Sequence, residues 1–97
     1  MNIQRKPTHP GEVLKEDVII PLRLSITEAA KRLGINPSIL SALVNCNSSL
    51  TPEMAIRIGK ATKTTPESWL YMQAKYDLWH AEQNFSDVEE FGELAVV

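Results

Sequence analysis

Few side chains in this 97-residue sequence are of the kinds that make or break bonds. Cys46 is the single cysteine, so it closes no internal disulfide and fits a reducing compartment. As a nucleophile it would need a base held beside it, and none stands near it in the sequence. His9 and His80 are too far from each other and from Cys46 to show the spacing of a metal site. Glu12 and Glu16, four apart, have the look of paired carboxylates but no partner base. Met54 and Met72 are most simply packing residues. With no phosphate-cradling glycine loop either, no catalytic residue, metal or cofactor is expected. The chemistry left to this chain is that of binding.

Charge says what kind of binding. The net charge of −2 hides a division along the chain. Residues 1–24 sum to +1, residues 25–63 to +3 through Lys31, Arg32, Arg57, Lys60 and Lys63, and residues 64–97 to −6. A basic middle joined to an acidic end implies two partners of opposite sign. Within the basic middle, Ser38, Ser41, Ala42 and Asn45 recur at helical spacing and share one face. A merely solvated helix face usually carries Glu and Lys, and this one carries neither. A small polar face suits a helix lying in a DNA major groove.

The elements that would position that face are marked by their caps. The caps of four helices, the second to the fifth, can be named, and three of these helices place a proline at the first helical position. Helix 1 is expected from Pro10 to Ile19 or Ile20, approached through Thr8-His9 and stopped by Pro21. Ser25-Ile26-Thr27-Glu28 forms a capping box for helix 2, and Gly34 ends that helix in a left-handed conformation. Asn36 caps helix 3 with Pro37 at its first position, and Ile35 and Leu40 are spaced as a hydrophobic staple. Thr51-Pro52-Glu53 and Thr65-Pro66-Glu67 start helices 4 and 5 in the same way. Helix 4 should bury Met54, Ile58 and Ala61 or their neighbours. Helix 5 should run from Pro66 to Glu82 with Trp69, Leu70, Tyr76, Leu78 and Trp79 at its apolar positions. Strand-like alternation, repeats and low-complexity tracts are absent from the sequence.

Helix 2, a short turn through Gly34, and helix 3 make a helix-turn-helix. Ala29 and Ala30 let the two helices approach closely, and Leu33, Ile35, Leu40 and Leu43 fill the hinge. The free amides at the start of helix 3 suit phosphate.

At these residues the chain resembles a known family. His9-Pro10-Gly11-Glu12, Leu24-Ser25, Thr27-Glu28, Ala30, Leu33-Gly34, Leu40-Ser41, Leu43, Asn45, Pro52-Glu53-Met54-Ala55, Arg57, Pro66-Glu67, Trp69-Leu70 and Tyr76-Asp77-Leu78-Trp79 are similar to the HigA branch (VapI-like) of the XRE or phage-repressor superfamily. The similarity covers residues 7–82. It implies an all-α, five-helix, lambda-repressor-like fold in residues 1–83, followed by an acidic tail over 84–97. It also implies a homodimer that binds palindromic operator DNA and neutralises a small basic HigB-like ribonuclease toxin, making the chain the antitoxin and autorepressor of a HigBA-type pair.

Carried over residue by residue, the resemblance gives Ser38, Ser41, Ala42 and Asn45 as base-face positions, with Pro37 also among the DNA-binding residues. Thr27, Asn36 and Asn47 become phosphate contacts, and Arg32 a cation for the DNA backbone. Trp69, Tyr76 and Trp79 are expected in the core or at the dimer contact. The chain departs from the family where Arg commonly stands, at Pro37 and Ala42. It departs again at Asn45-Cys46-Asn47, where the family commonly ends the helix with Asn-Gly-Lys or Asn-Gly-Arg. Two alternatives stay open: an interaction module that has lost operator binding, and a phage- or stress-type repressor without a toxin. The sequence shows no signal peptide and no run near the roughly 20 apolar residues of a membrane span, so a cytoplasmic location is expected.

Overall fold

The computed structural model describes residues 5–92. Five helices carry the fold, with no strand among the described residues. They are α1 (Pro10–Leu14, continued by a π-helical turn Lys15–Ile19), α2 (Ile26–Leu33), α3 (Pro37–Val44), α4 (Pro52–Thr62) and α5 (Pro66–Gln83).

The caps act as the sequence predicts, with one addition and one change. Asn36, Thr51 and Thr65 each accept an amide hydrogen bond at the start of their helices. His9 does the same for α1, its Nδ1 accepting from the Gly11 amide at 2.9 Å, with Pro10 at the first position. Ser25 Oγ accepts from the Glu28 amide at 3.0 Å. The return half of that capping box is not made, because the Glu28 carboxylate instead takes the Arg32 Nε–H at 2.9 Å. The first helix also departs from a plain α-helix. Pro21 has no N–H to give, and the turn before it widens so that the Ile20 amide bonds to the Lys15 carbonyl, five residues back.

The core is one apolar cluster drawn from all five helices. Leu14, Ala30, Leu33, Leu40, Leu43, Ile58 and Trp69 lie at its centre. Ala29 and Ala30 are buried where α2 meets α3 and α4, as their small size requires. Gly11 is buried too, and a Cβ there would land on the carbonyl oxygen of Leu43, so only glycine lets α1 lie against the end of α3. In α4 the buried residues are Met54, Ala55, Ile58 and Gly59, whereas Ala61 is exposed. The stripe turns toward α5 at Gly59, whose absent side chain leaves room for the Thr64 carbonyl.

A chain of hydrogen bonds closes the α4–α5 corner. Trp69 Nε1–H donates to Thr64 Oγ1 and the hydroxyls of Thr64 and Thr62 pair, each contact at 2.7 Å. Thr62 passes its own hydrogen to the Ile58 carbonyl, also at 2.7 Å. Beyond α5, residues 84–92 adopt no regular structure and are exposed. No helix among the described residues is long and apolar enough to cross a membrane.

Candidate nucleic-acid interface

The α2–turn–α3 unit presents most of its polar face outward. Thr27, Arg32, Asn36, Pro37, Ser38, Asn45 and Asn47 are exposed, and Ser41 and Ala42 are half-buried along the same edge. Leu40, Leu43 and Val44 point the other way, into the core. The grouping anticipated from helical spacing is therefore brought together on one surface.

Several of these polar groups already have partners within the chain. Asn36 Oδ1 accepts from both the amide and the hydroxyl of Ser38, at 2.8 and 2.6 Å. Asn45 Nδ2 donates to Ser41 Oγ at 3.3 Å. These short-range bonds fix rotamers and leave the other lone pairs and hydrogens facing solvent. Arg32 lies over Glu28, their side chains 62% and 44% exposed, a pair worth little in water and easily exchanged for a phosphate.

Arg57 is different. The sequence places it among the cations available to phosphate, but its Nη1–H donates to the Leu33 carbonyl at 3.0 Å and reaches the Gly34 carbonyl at 3.4 Å. Its Nε and Nη2 hold Glu53 Oε2 at 3.1 and 3.0 Å. The guanidinium thus ties α4 to the last carbonyls of α2 at the turn, where Gly34 sits at φ 73°. The cations of the basic middle left available to phosphate are Lys31, Lys60 and Lys63, and Arg32 once it exchanges Glu28 for a phosphate, all four exposed.

Two further positioning residues escape the sequence reading. Gln73 is buried on α5; its Oε1 accepts from the Leu50 amide at 2.8 Å and its Nε2 donates to Asp77 at 2.9 Å. His9, also buried, hydrogen-bonds the backbone of Ser48 in addition to capping α1. Between them they pin the loop that follows α3 and carries Asn47. Burial pushes the His9 pKa down, against smaller upward pulls from the Ser48 hydrogen bond, Asp77 and Glu12. A signal for Gln73 was present in the sequence: it lies four residues after Trp69, on the stripe that must face inward.

Folding also brings Cys46 to a hollow shared with His9, Glu12 and Tyr76. That is the base the sequence lacks nearby. Both sides of the His9 imidazole are already engaged, by the Gly11 amide and the Ser48 backbone, so the ring does not serve the thiol. Cys46 instead ends α3 in the left-handed region at φ 63°, with the Asn47 amide bonding back to the Ala42 carbonyl at 2.8 Å.

On α5, Trp69 is buried inside the protomer, taking the core half of its core-or-interface expectation. Tyr76 and Trp79 are half-buried. Tyr76 sits between His9 and His80, edge-on to the first at 4.8 Å between ring centres and tilted against the second at 4.4 Å, and Trp79 meets His80 edge-on at 5.2 Å. The large exposed apolar side chains of the helix are Tyr71 and Leu78, seven apart, with Lys75 Nζ 5.1 Å from the Tyr71 ring.

Comparison with known proteins agrees with this geometry. A family model described as helix-turn-helix matches residues 14–70. An HTH-type transcriptional regulator of Escherichia coli K12, YbaQ, is 44% identical over 93 residues, which is 96% of this chain and 82% of the relative. Antitoxin HigA-1 of Vibrio cholerae is 31% identical over 91% of this chain and 83% of its own. The structure of antitoxin GraA in complex with its operator is 31% identical, with a TM-score of 0.77 over 86% of this chain and 84% of that one.

Proposed function

The chain belongs to the helix-turn-helix family of regulators, which is not an enzyme family, and from that premise we propose that it is a homodimeric, operator-binding autorepressor that also serves as an antitoxin. The observation that carries this reading is the outward face of α3, where Ser38, Ser41, Ala42 and Asn45 stand beside the exposed Ile39 with no carboxylate among them, held between Arg32 and the clamped loop at Asn47. Helix α3 lies in the major groove. Ser38 and Ser41 supply hydroxyl contacts and Ala42 touches thymine methyl groups. Thr27, Asn36, Asn47, Lys31 and Arg32 contact phosphates, and DNA shape carries part of the specificity in place of the Arg that the helix lacks. GraA, seen with its operator, supports the same use of this fold here.

Two protomers pair through α5. The exposed stripe Tyr71–Lys75–Leu78, flanked by Tyr76 and Trp79, is the face left uncovered by the protomer core. A two-fold dimer places its α3 helices on half-sites about 10–21 bp apart. The toxin partner is a small basic HigB-like ribonuclease, a reading supported by the likeness to HigA-1 and by the acidic C-terminal third.

The test is Ala42→Glu. Its carboxylate would face phosphates and base-edge acceptors, so operator binding should vanish while the helical fold, read by circular dichroism, stays. Retained binding by the folded variant contradicts the docking. One observation favours a second reading, in which the chain is an interaction module only: α3 carries no cation, and Asn36, Ser38, Ser41 and Asn45 are already bonded among themselves. Toxin capture without any operator shift is the outcome that selects it.

A further inference from the structure

Away from α3 lies a surface whose apolar floor major-groove docking leaves unused. A groove opens between the segment joining α1 to α2 and the end of α4, floored by Val18, Leu22, Leu24 and Ala61. Arg32 stands on one rim and Lys63 on the other. Leu22 is 62% exposed, so the apolar floor opens to water on that side. A shallow hollow continues past Ala61 and Arg32 to Lys60. The surface is apolar at its floor, and its edge carries Arg32, Lys60 and Lys63 against a single lining carboxylate, Asp17.

The same chain carries the complementary segment. After α5, Phe85 and Val88 are 68% and 71% exposed, and Phe91 is fully in solvent. They recur every third residue, interleaved with Asp87, Glu89 and Glu90. Large apolar side chains spaced this regularly and left in water mark a segment that gains free energy by being covered. The acidic residues between them match the cationic rim.

We propose that the groove of one protomer is the docking site for the acidic tail of a second copy of this chain. Phe85, Val88 and Phe91 cover the floor, and the carboxylates meet Arg32, Lys60 and Lys63. Those cations are among the ones available to DNA phosphates, so the docked tail competes with operator. The docking stands without the operator reading; the competition rests on it.

The test keeps the chain at full length and replaces Phe85, Val88 and Phe91 together by Ser, which alters exposed positions only. A synthetic peptide of residues 84–97 is titrated into this variant and amide NMR shifts are followed. Saturable shifts at Leu22, Leu24 and Ala61, removed by Lys60→Glu with Lys63→Glu, are the expected result. Absent shifts, or shifts elsewhere in the fold, overturn the proposal.

Operator affinity gives the second arm. With an effective tail concentration of about 1 mM and an intrinsic dissociation constant near 100 µM, the tail is docked about nine-tenths of the time, so the triple variant should bind operator about ten-fold tighter. Unchanged operator affinity alongside groove shifts overturns the competition and upholds the docking. If neither protein binds operator, the peptide titration alone decides the groove.

Discussion

The imidazole of His9 holds α1 and the loop after α3 together in its neutral form. Nδ1 must keep its lone pair to accept from the Gly11 amide, and burial disfavours the cation. A folded-state pKa below the ordinary histidine value means that the unfolded chain takes up the proton first. The stability from this ring is therefore present above about pH 6.5 and is lost as pH falls through the lower, folded value. Thermal melts should be flat from pH 8 to 7 and fall below pH 6, and His9→Asn, which can still cap the helix, should flatten the acid limb. An unchanged acid limb in that variant assigns the loss to other groups. Arg57 makes the companion case. Its pair with Glu53 is too exposed to weigh much, but its bonds to the carbonyls that end α2 are charge-assisted and partly shielded. Arg57→Ala should cost about 1–3 kcal/mol in urea unfolding. Arg57→Lys should recover little of it, since one ammonium does not span Glu53 and the Leu33 carbonyl as the planar fork does.

At the scale of elements, the end of α3 stores strain that a single substitution can release. Cys46 stands where the resembled family commonly has glycine, and its φ of 63° is unfavourable for any residue with a Cβ. Cys46→Gly should stabilise the fold by about 1 kcal/mol, seen as a rise in melting temperature of roughly 4–8 °C. No gain in melting temperature would mean that the half-buried sulfur packs well enough to offset the strain. Gly11→Ala should do the reverse and leave little folded protein, because its methyl would meet backbone rather than a movable side chain. Caps and helix boundaries were legible in the sequence because they depend on local chemistry, as at Asn36-Pro37, Thr51-Pro52 and Thr65-Pro66. The helix-turn-helix was legible because Gly34 and the small pair Ala29-Ala30 stand in register with those caps. Tertiary partners were not legible. Nothing local distinguishes Arg57, bonded to a carbonyl 24 residues earlier in the chain, from the freely exposed Lys60. Glu28 likewise had two partners open to it, and Arg32 one turn later won over the backbone amide behind it.

For the whole molecule, two properties follow from how the surface is divided. The apolar stripe of α5 should make the protein a dimer, so light scattering at micromolar concentration should give about 22 kDa rather than the 10.9 kDa of one chain. Leu78→Glu should return it to the smaller mass, and a wild-type monomer would remove the half-site geometry. The central claim is that the basic middle of an otherwise acidic protein is a DNA surface, although its recognition helix carries no cation. With Arg57 committed to the fold, two or three of Lys31, Arg32, Lys60 and Lys63 remain for phosphate in each protomer. A dimer then neutralises about four to six phosphates. Footprinting on the protein's own promoter across a salt series measures this directly. The account predicts a slope of log K against log salt of about −4 to −5, lowered in magnitude by about 2 per dimer in Arg32→Ala with little change in operator preference. A slope near zero would contradict it.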